Sequence, residues 1–329
     1  MLVKKTLKLA TVAAFVTSAM SFSAVVNAAT EIKAAFNQSD QHPQYVALQE
    51  FGKKLQEQTE GRYKLTIYPN ELLGDQRAAL ELVQNGAIQM AMVANPLVEN
   101  YDKTFRIIGM PYVYSGMEHQ ETVFTSGVLD ELFASTKRYG FEVLTAYTAG
   151  ARSMYTKGAP TTTVEEMRGK KIRVMQSDSM IKMLSCIGGT GVPMSAGEVY
   201  TAVQQGVLDG AENNEITYVD MKQYEVAPYF SVTRHLMVPD LMVISSYFLN
   251  TMSKEDQATL RQLAKESTPN QFKLWGEQIE IARQVAQEKG AIFTEVDITP
   301  FQQSCQNLQS ELTETPPQKQ LFNKIAALR

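Results

Sequence analysis

Short apolar runs alternate with longer amphipathic stretches along the chain. Runs of β-forming residues and two-residue alternation predict strands over 31–36, 63–68, 88–93, 141–147, 171–174 and 291–296. Helical periodicity predicts helices over 42–60, 77–84 and 253–289. Strands that alternate with helices favour mostly parallel sheets covered on both faces, so the predicted fold class is α/β.

Two helix-to-strand junctions resemble each other in sequence. Residues 83–89 and 203–209 each carry a glycine, Gly86 or Gly206, where a left-handed residue would end a helix. One interpretation is two similar α/β halves. The other is that such junctions simply recur in α/β proteins, and the sequence does not decide between them.

Three signals predict helix boundaries in the second half of the chain. Capping-box patterns begin at Thr163 and at Ser195, where a hydroxyl and a carboxylate would bind the free amides of a helix start. Pro269 falls inside the long predicted helix and is expected to kink or split it, because proline lacks an amide hydrogen. A helix of this length would be long enough to contact two domains.

Residues 1–28 have the composition of a secretory signal peptide. Lys4, Lys5 and Lys8 precede an apolar run over 9–19, and small residues end the segment at Ala28. The apolar run is shorter than the ~20 residues needed to span a bilayer. The small residues before Ala29 predict cleavage after residue 28. Because no cysteine follows that could carry a lipid anchor, we expect the mature protein to be free in the periplasm.

Composition narrows the possible functions. Roughly 300 mature residues suffice for two domains, and a net charge of −4 argues against a nucleic-acid partner. Cys186 and Cys305 could form a disulfide in an oxidising compartment, but the sequence does not show whether they are adjacent. The histidines and cysteines lack metal-ligand spacing, so we expect neither a metal site nor a cofactor.

An arginine on a predicted strand is the main candidate for anion binding. Arg173 lies between Ile172 and Val174, so on a strand its side chain points away from the face that these two share. A guanidinium offers two parallel donors to a carboxylate, which lysine does not. The alternative is a strand-end arginine paired with a surface acid.

Other polar residues of the second half are also candidates. Arg152 follows Gly150, which would let the chain turn tightly beside a ligand, and it is either a second donor or a solvated loop residue. Glu212 and Asn213 could hydrogen-bond ligand hydroxyls or serve a turn. His235 is interpreted as a structural histidine that bonds within a linker.

Polar residues of the first half follow predicted strands, at the end where α/β folds bind ligands. Asn37 and Gln38 come directly after the opening strand, and Asn95 follows the strand over 88–93. Gln76 and Arg77 belong to a possible second ligand loop. The alternatives are an ordinary polar loop at Asn37 and a helix cap beside Gln76.

Several motifs together resemble one protein family. They are Tyr68-Pro69 with Leu73-Gly74-Asp75 and Arg77, Gly109-Met110-Pro111-Tyr112, the segment from Met167 to Val174, Pro193-Met194 with Glu198-Val199-Tyr200, and Asp209 to Asn213. The chain resembles, over nearly its whole mature length, the solute-binding subunits of tripartite ATP-independent periplasmic (TRAP) transporters of the DctP type. Their sugar-acid and diketogulonate-binding members are the most similar.

The resemblance implies a hinged two-domain fold. One domain would comprise residues 29–149 and 239–277, and the other 150–238 and 278–329, joined by crossing strands and a long helix. A cleft between them would close on the ligand. Integral-membrane permease subunits would be the partners, and the binding protein itself is expected to be monomeric.

The resemblance also implies roles for individual residues. Arg173 would form the main salt bridge to a ligand carboxylate, Arg152 would assist it, and Asn213 would add a hydrogen bond. Loops containing Asn37 and Arg77 would select the rest of the ligand. The family binds its ligand without chemistry, and the chain has no G-x-S-x-G or Cys-His pattern, so we do not expect an enzyme.

The expected ligand class is a sugar acid of about six carbons, such as diketogulonate, gulonate or a uronate. Sialic-acid-binding members carry an acidic pair, a glutamate and an aromatic residue where this chain has Asp75-Gln76, Ala94 and Ala196. A C4-dicarboxylate or a 2-oxo or hydroxy acid is the alternative ligand. A ligand-presenting sensor subunit is the alternative function.

Overall fold

The structure is a computed structural model that describes residues 28–329. Its strands are β1 (Thr30–Ala35), β2 (Tyr63–Tyr68), β3 (Met90–Ala94), β4 (Phe141–Thr148), β5 (Arg152–Thr156), β6 (Lys171–Val174), β7 (Thr190–Pro193), β8 (Gly210–Asn213), β9 (Tyr229–Leu236), β10 (Pro239–Ser245) and β11 (Ile292–Glu295). The signal-peptide prediction concerns residues that lie, apart from Ala28, outside the described range.

The helices pack around these strands. They are α1 (Pro43–Gln58), α2 (Gln76–Gln84), α3 (Asn95–Val98), α4 (Met117–Thr125), α5 (Asp130–Ala134), α6 (Asp178–Cys186), α7 (Val199–Gln204), α8 (Glu215–Asp220), α9 (Ser246–Leu249), α10 (Lys254–Glu288), α11 (Thr299–Ser304), α12 (Gln306–Leu312) and α13 (Pro316–Ala326). Short 3₁₀ turns cover Lys103–Gly109, Ser135–Tyr139, Glu165–Met167 and Gln223–Glu225.

The strands form two separate sheets, and each sheet organises one lobe. The first lobe (residues 30–148 and 239–249) contains a sheet with the order β2-β1-β3-β10-β4. The second lobe (residues 152–236 and 292–295) contains a sheet with the order β11-β9-β5-β8-β6-β7. The predicted α/β fold class is therefore confirmed.

Both sheets are mixed, which the expectation of mostly parallel sheets did not capture. In the first sheet β10 runs antiparallel to β3 and β4, and in the second β5 runs antiparallel to β8 and β9. The chain passes from β4 to β5 into the second lobe and returns from β9 to β10. Because these two crossings run in opposite directions, each sheet receives one strand that opposes its neighbours.

Helix α10 accounts for much of the packing between elements that are distant in sequence. Its first half covers one face of the first sheet, where Leu260 and Leu263 pack in a cluster with Leu48 and Phe51 of α1. Burial of each such side chain contributes about 1.5–3 kcal/mol to the free energy of folding. Further along, α10 packs against α8 of the second lobe. The helix thus contacts both lobes, as its length suggested.

Pro269 does not split this helix, which is continuous from Lys254 to Glu288. Hydrogen bonds to strand β4 hold the helix on both sides of the proline. The Tyr147 hydroxyl donates to Ser267 Oγ at 2.7 Å, and the Thr148 amide donates to Gln271 Oε1 at 2.8 Å. We infer that these tertiary contacts offset the local cost of the proline.

The C-terminal helices contact both lobes. A disulfide joins Cys186 at the end of α6 to Cys305, with a Cα–Cα distance of 5.0 Å, which settles the pairing that the sequence left open. From the other side, His119 Nε2 lies 2.9 Å from the Ile325 carbonyl oxygen of α13. Allocation of the whole of 278–329 to one domain stays a prediction, since this segment also packs on the first lobe.

The predicted helix boundaries have mixed outcomes. Gly86 and Gly206 have φ angles of +80° and +74°, so both junctions use the left-handed residue that the sequence indicated. The box at Thr163 forms, but it begins only a 3₁₀ turn. The helix start predicted at Ser195 is wrong, because its hydroxyl binds the Glu198 carboxylate instead of a free amide and α7 begins at Val199.

Two further properties concern the described range as a whole. No helix within it combines the length and the apolar composition needed to cross a bilayer. Within residues 28–329, no group of three or more His, Cys, Asp or Glu residues is placed to hold a metal ion.

Candidate ligand-binding site

A small cavity, partly continuous with solvent, lies between the two lobes. The first lobe lines it with Glu71, Asp75, Gln76 and Leu97, and the second with Arg173, Met175, Gln176, Met194, Ser195 and Ala196. The cavity therefore combines charged and polar groups from both lobes with a few apolar side chains, which suits a small polar ligand better than an apolar one.

Hydrogen bonds hold the lobes together around this cavity. The Ser39 hydroxyl donates to Asp220 Oδ1 at 2.7 Å, and the Ser179 hydroxyl lies 2.7 Å from the Glu99 carboxylate. Because each bond joins one lobe to the other, the structure represents a conformation in which the cleft is narrow.

Arg173 is the cationic group of the cavity. Its side chain is buried, with 5% of the residue exposed, and Nε donates to the Met194 carbonyl oxygen at 2.9 Å. Its two terminal nitrogens donate to no acceptor in the described part of the chain. Burial lowers the pKa of Arg173, and the nearby Glu212 carboxylate opposes this effect. A carboxylate bound to the two free nitrogens would stabilise the charge.

Arg152 is equally buried but has an internal partner. Its Nε and one terminal nitrogen donate to the Glu212 carboxylate at 2.6 and 2.8 Å, and the other terminal nitrogen donates to Asn213 Oδ1 at 2.6 Å. The Glu212 carbonyl oxygen accepts a further bond. Four of its five N–H groups are thus used. The predicted assistance by Arg152 would rest on a single remaining donor.

Glu212 is a fully buried carboxylate that balances the charge of Arg152. Burial alone would raise the pKa of Glu212, but the Arg152 charge, the Arg152 hydrogen bonds and the nearby His235 ring together outweigh burial and lower the pKa to about 2. The carboxylate therefore stays ionised and paired with arginine. Glu212 does not line the cavity, so the structure favours a supporting role over direct contact with a ligand hydroxyl.

His235 lies behind this pair and not in the cavity. Its Nδ1 is 2.8 Å from the Thr233 hydroxyl, and its Nε2 is 3.5 Å from Glu212 Oε2, too long for a good hydrogen bond. Burial lowers the pKa of His235, so the ring is neutral at physiological pH. The interpretation as a structural histidine agrees with this position.

Asn213 is held in one orientation beside Arg152. Its Oδ1 accepts from Arg152 at 2.6 Å and from the Asn214 backbone amide at 3.0 Å. Its Nδ2 donates to no acceptor among residues 28–329, so this group is free to donate to a ligand. That role for Asn213 stays a prediction.

Of the two candidates in the predicted loop after Gly74, Gln76 lines the cavity and Arg77 does not. Gln76 Oε1 accepts the Ala94 amide at 3.1 Å, which leaves Nε2 to donate. Arg77 is exposed and its terminal nitrogen lies 3.4 Å from the Gln176 carbonyl oxygen of the other lobe. Asp75 caps α2 by accepting the Ala78 amide at 2.8 Å, as the alternative interpretation proposed.

Three other first-lobe candidates do not line the cavity. Asn95 is fully buried, and its Nδ2 donates to the Phe105 carbonyl oxygen at 2.9 Å, so it stabilises its own lobe. Gln38 is buried with an Oε1 that has no partner within the described range. Asn37 is only partly buried.

The turn at Gly150 packs closely against helix α10. Gly150 has a φ of +62°, and a Cβ at this position would lie 2.6 Å from Nε1 of Trp275 in α10. Only glycine therefore permits both the backbone conformation and the close approach of α10.

Sequence reasoning missed several residues of the cavity lining. Glu71, Met175 and Gln176 were not candidates, although each follows or neighbours a segment that was. One usable signal was available for Glu71, which comes two residues after Pro69 at the end of a predicted strand, where α/β folds bind ligands.

Comparison with known proteins decides the family. The family model for bacterial extracellular solute-binding protein, family 7, named DctP, matches residues 34–315. The chain belongs to the DctP family. This confirms the resemblance to TRAP solute-binding proteins that the sequence motifs indicated.

Relatives of this DctP chain include proteins with assigned ligands. The 2,3-diketo-L-gulonate-binding periplasmic protein YiaO of Escherichia coli is 28% identical over 92% of each chain. A TRAP solute-binding protein of Anaerococcus prevotii, solved with bound D-glucuronate, is 33% identical with a TM-score of 0.88 and covers 91% of this chain and 98% of its own. A galacturonate complex from a Bradyrhizobium species is 30% identical, also with a TM-score of 0.88, over 90% and 99%.

Proposed function

We propose that this DctP-family chain binds a hexuronate or a related sugar acid in the cleft between its lobes. The observation that carries the proposal is Arg173, a buried arginine that lines the cavity and whose terminal nitrogens have no acceptor among residues 28–329. A carboxylate would accept two parallel hydrogen bonds there and neutralise the charge. Chemistry on the ligand is not part of the proposal, since the family and the solved relatives are binding proteins.

The hydroxyl groups of a sugar acid would meet the other polar groups of the site. Gln76 Nε2 has no acceptor among residues 28–329 and is free to donate, and Glu71 and Asp75 offer carboxylate acceptors. Asn213 does not line the cavity of this narrow conformation, and its Nδ2 would donate only to a ligand that reaches it. The relatives solved with bound glucuronate and galacturonate, and the relative named as a diketogulonate-binding protein, support this ligand class.

We propose that the protein acts as a monomer in the periplasm and delivers its ligand to the membrane subunits of a TRAP transporter. The Ser39–Asp220 and Glu99–Ser179 bonds would have to break for the ligand to enter, because they join the lobes across the cleft. Re-formation of these bonds around the ligand would close the binding site. The family and its periplasmic relatives support this role.

Isothermal titration calorimetry of residues 29–329, freed of co-purified ligand by unfolding and refolding, tests the ligand class. The panel is D-glucuronate, D-galacturonate, 2,3-diketo-L-gulonate, succinate and N-acetylneuraminate. We expect one of the three six-carbon sugar acids to bind at least tenfold more tightly than succinate or N-acetylneuraminate. Tightest binding of succinate would replace the proposal by a C4-dicarboxylate-binding function.

A further inference from the structure

The two lobes contribute groups of opposite charge to the cavity. Arg173 of the second lobe is the positive group, and Glu71 and Asp75 of the first lobe are the negative groups. Asp75 is already engaged as the cap of α2. Glu71 is therefore the carboxylate with the most freedom to contact a ligand.

The Glu71 carboxylate lacks a hydrogen-bond donor. Its Oε1 is shielded from solvent and has no partner among the described residues. Burial raises the pKa of Glu71, the charges of Asp75 and Glu198 act in the same direction, and Arg173 opposes them. A shielded acceptor without a donor costs free energy, so a ligand that donates to it would gain.

The backbone holds Glu71 in this position at a conformational cost. Asn70 and Glu71 have φ angles of +55° and +56°, which residues other than glycine seldom adopt. Hydrogen bonds from the Asn70 amide to the Gln38 carbonyl oxygen and from the Glu71 amide to the Phe36 carbonyl oxygen, at 2.9 and 3.2 Å, fix the turn. Strain of this kind is typical of ligand sites.

Glu71 also crosses the cleft. A Cβ at Gly197 of the second lobe would lie 2.7 Å from Glu71 Oε2, so the carboxylate reaches a loop that carries Ser195 and Ala196 of the cavity wall. Arg173 and Glu71 thus line one small cavity from different lobes, each without a full set of partners among the described residues.

We propose that Glu71 is a specificity residue that selects acids carrying hydroxyl groups at the end remote from the carboxylate bound by Arg173. This inference rests on the proposed function and adds which part of the ligand Glu71 would contact. An ionised carboxylate only accepts hydrogen bonds, so hydroxyl groups satisfy it. A second ligand carboxylate would instead be repelled, which disfavours short dicarboxylates.

Two ligands that differ only in hydroxyl groups test the inference. One is D-glucuronate or D-galacturonate, whichever the wild-type protein binds more tightly. The other is tetrahydropyran-2-carboxylate, which has the same ring and carboxylate without the hydroxyls. Calorimetry compares wild type, Glu71→Gln, Glu71→Ala and the control Glu81→Gln, which removes an exposed charge from α2 of the same lobe. Thermal unfolding confirms that each variant is folded.

We expect both Glu71 variants to lose about ten- to a hundredfold in hexuronate affinity, because a hydrogen bond to a charged group is removed. Their affinity for tetrahydropyran-2-carboxylate is expected to change less than threefold, and Glu81→Gln is expected to match wild type. Equal losses for both ligands, or higher affinity for both, would overturn the specificity role while leaving the proposed function intact. Failure of the wild type to bind either hexuronate would overturn both.

Discussion

Arg152 and Arg173 are two buried arginines of the same sheet with different surroundings. Strand β8 lies between their strands, β5 and β6. Glu212 of β8 places its carboxylate Oε2 2.6 Å from Arg152 Nε. The Nε of Arg173 has only a backbone carbonyl oxygen, that of Met194, at 2.9 Å. The same side chain is therefore used once to complete the interior and once to leave charge available at a cavity.

The contrast shows why burial alone does not identify a ligand-binding residue. Both arginines are 5% exposed, so the exposed fraction does not distinguish them. The directions of their pKa shifts do. Burial lowers the pKa of both arginines, but for Arg152 the Glu212 charge and hydrogen bonds, together with the nearby Tyr155 and Asp240, more than offset burial and raise the pKa, whereas burial prevails at Arg173. An uncompensated buried cation at a cavity is the feature that indicates an anionic ligand.

Removal of Arg152 is expected to have the largest effect on folding. Arg152→Ala would leave the Glu212 carboxylate buried without its partner, which costs about 3–5 kcal/mol of the free energy of unfolding. Urea unfolding at pH 7 measures this loss. Arg168→Ala is the control, because the Arg168–Glu165 pair of the same lobe is exposed and its removal is expected to cost below about 1 kcal/mol. A similar small loss in both variants would mean that the internal pair is not structural.

Replacement of Arg173 is expected to affect binding and not folding. Arg173→Met keeps an unbranched, flexible side chain and removes a buried charge that has no salt-bridge partner among residues 28–329. We expect the free energy of unfolding to stay within about 1 kcal/mol of wild type. Affinity for the preferred hexuronate is expected to fall at least a hundredfold, because a charged hydrogen-bonded pair is lost.

Calorimetry and urea unfolding on the same Arg173→Met preparation separate these two effects. A destabilisation as large as that of Arg152→Ala would show that both arginines are structural. Unchanged affinity in a folded variant would remove Arg173 from the binding site and with it the basis of the proposed function.

The strand that carries Arg173 could be predicted from local sequence, but the partner of Arg152 could not. Strand β6 begins at Lys171 and ends at Val174, as the pattern indicated. Glu212 lies 60 residues from Arg152, and the two meet only because β5 pairs antiparallel with β8 in one register, Ser153 opposite Asn213. Register between distant strands depends on the whole packed sheet, and no local pattern encodes it.

The first-lobe side of the cavity was harder to predict for a different reason. Asn95 was a reasonable candidate by position, but its buried amide is used by the Phe105 carbonyl oxygen, a contact that depends on how the chain folds back after α3. Glu71 was missed because it reaches the cavity through a left-handed turn, and a glutamate does not signal this conformation.

The smallest expected effect is on the pH dependence of the free energy of unfolding, which should differ between variants of the Arg152–Glu212 pair and of Arg173. The pKa of Glu212 is about 2 in the folded protein, below the ordinary 4.5 that applies on unfolding. Its contribution to stability is therefore fully present above about pH 4.5 and is lost as the pH falls through 2. The stability difference between wild type and Glu212→Gln should narrow by roughly 1 kcal/mol between pH 7 and pH 3.5 in urea unfolding.

The control is Arg173→Met. The stability difference between wild type and this variant should change much less over the same pH range, because no carboxylate in residues 28–329 is paired with Arg173. Equal narrowing in the two variants would mean that Glu212 serves both arginines alike, and the division between an internal and an open arginine would be wrong.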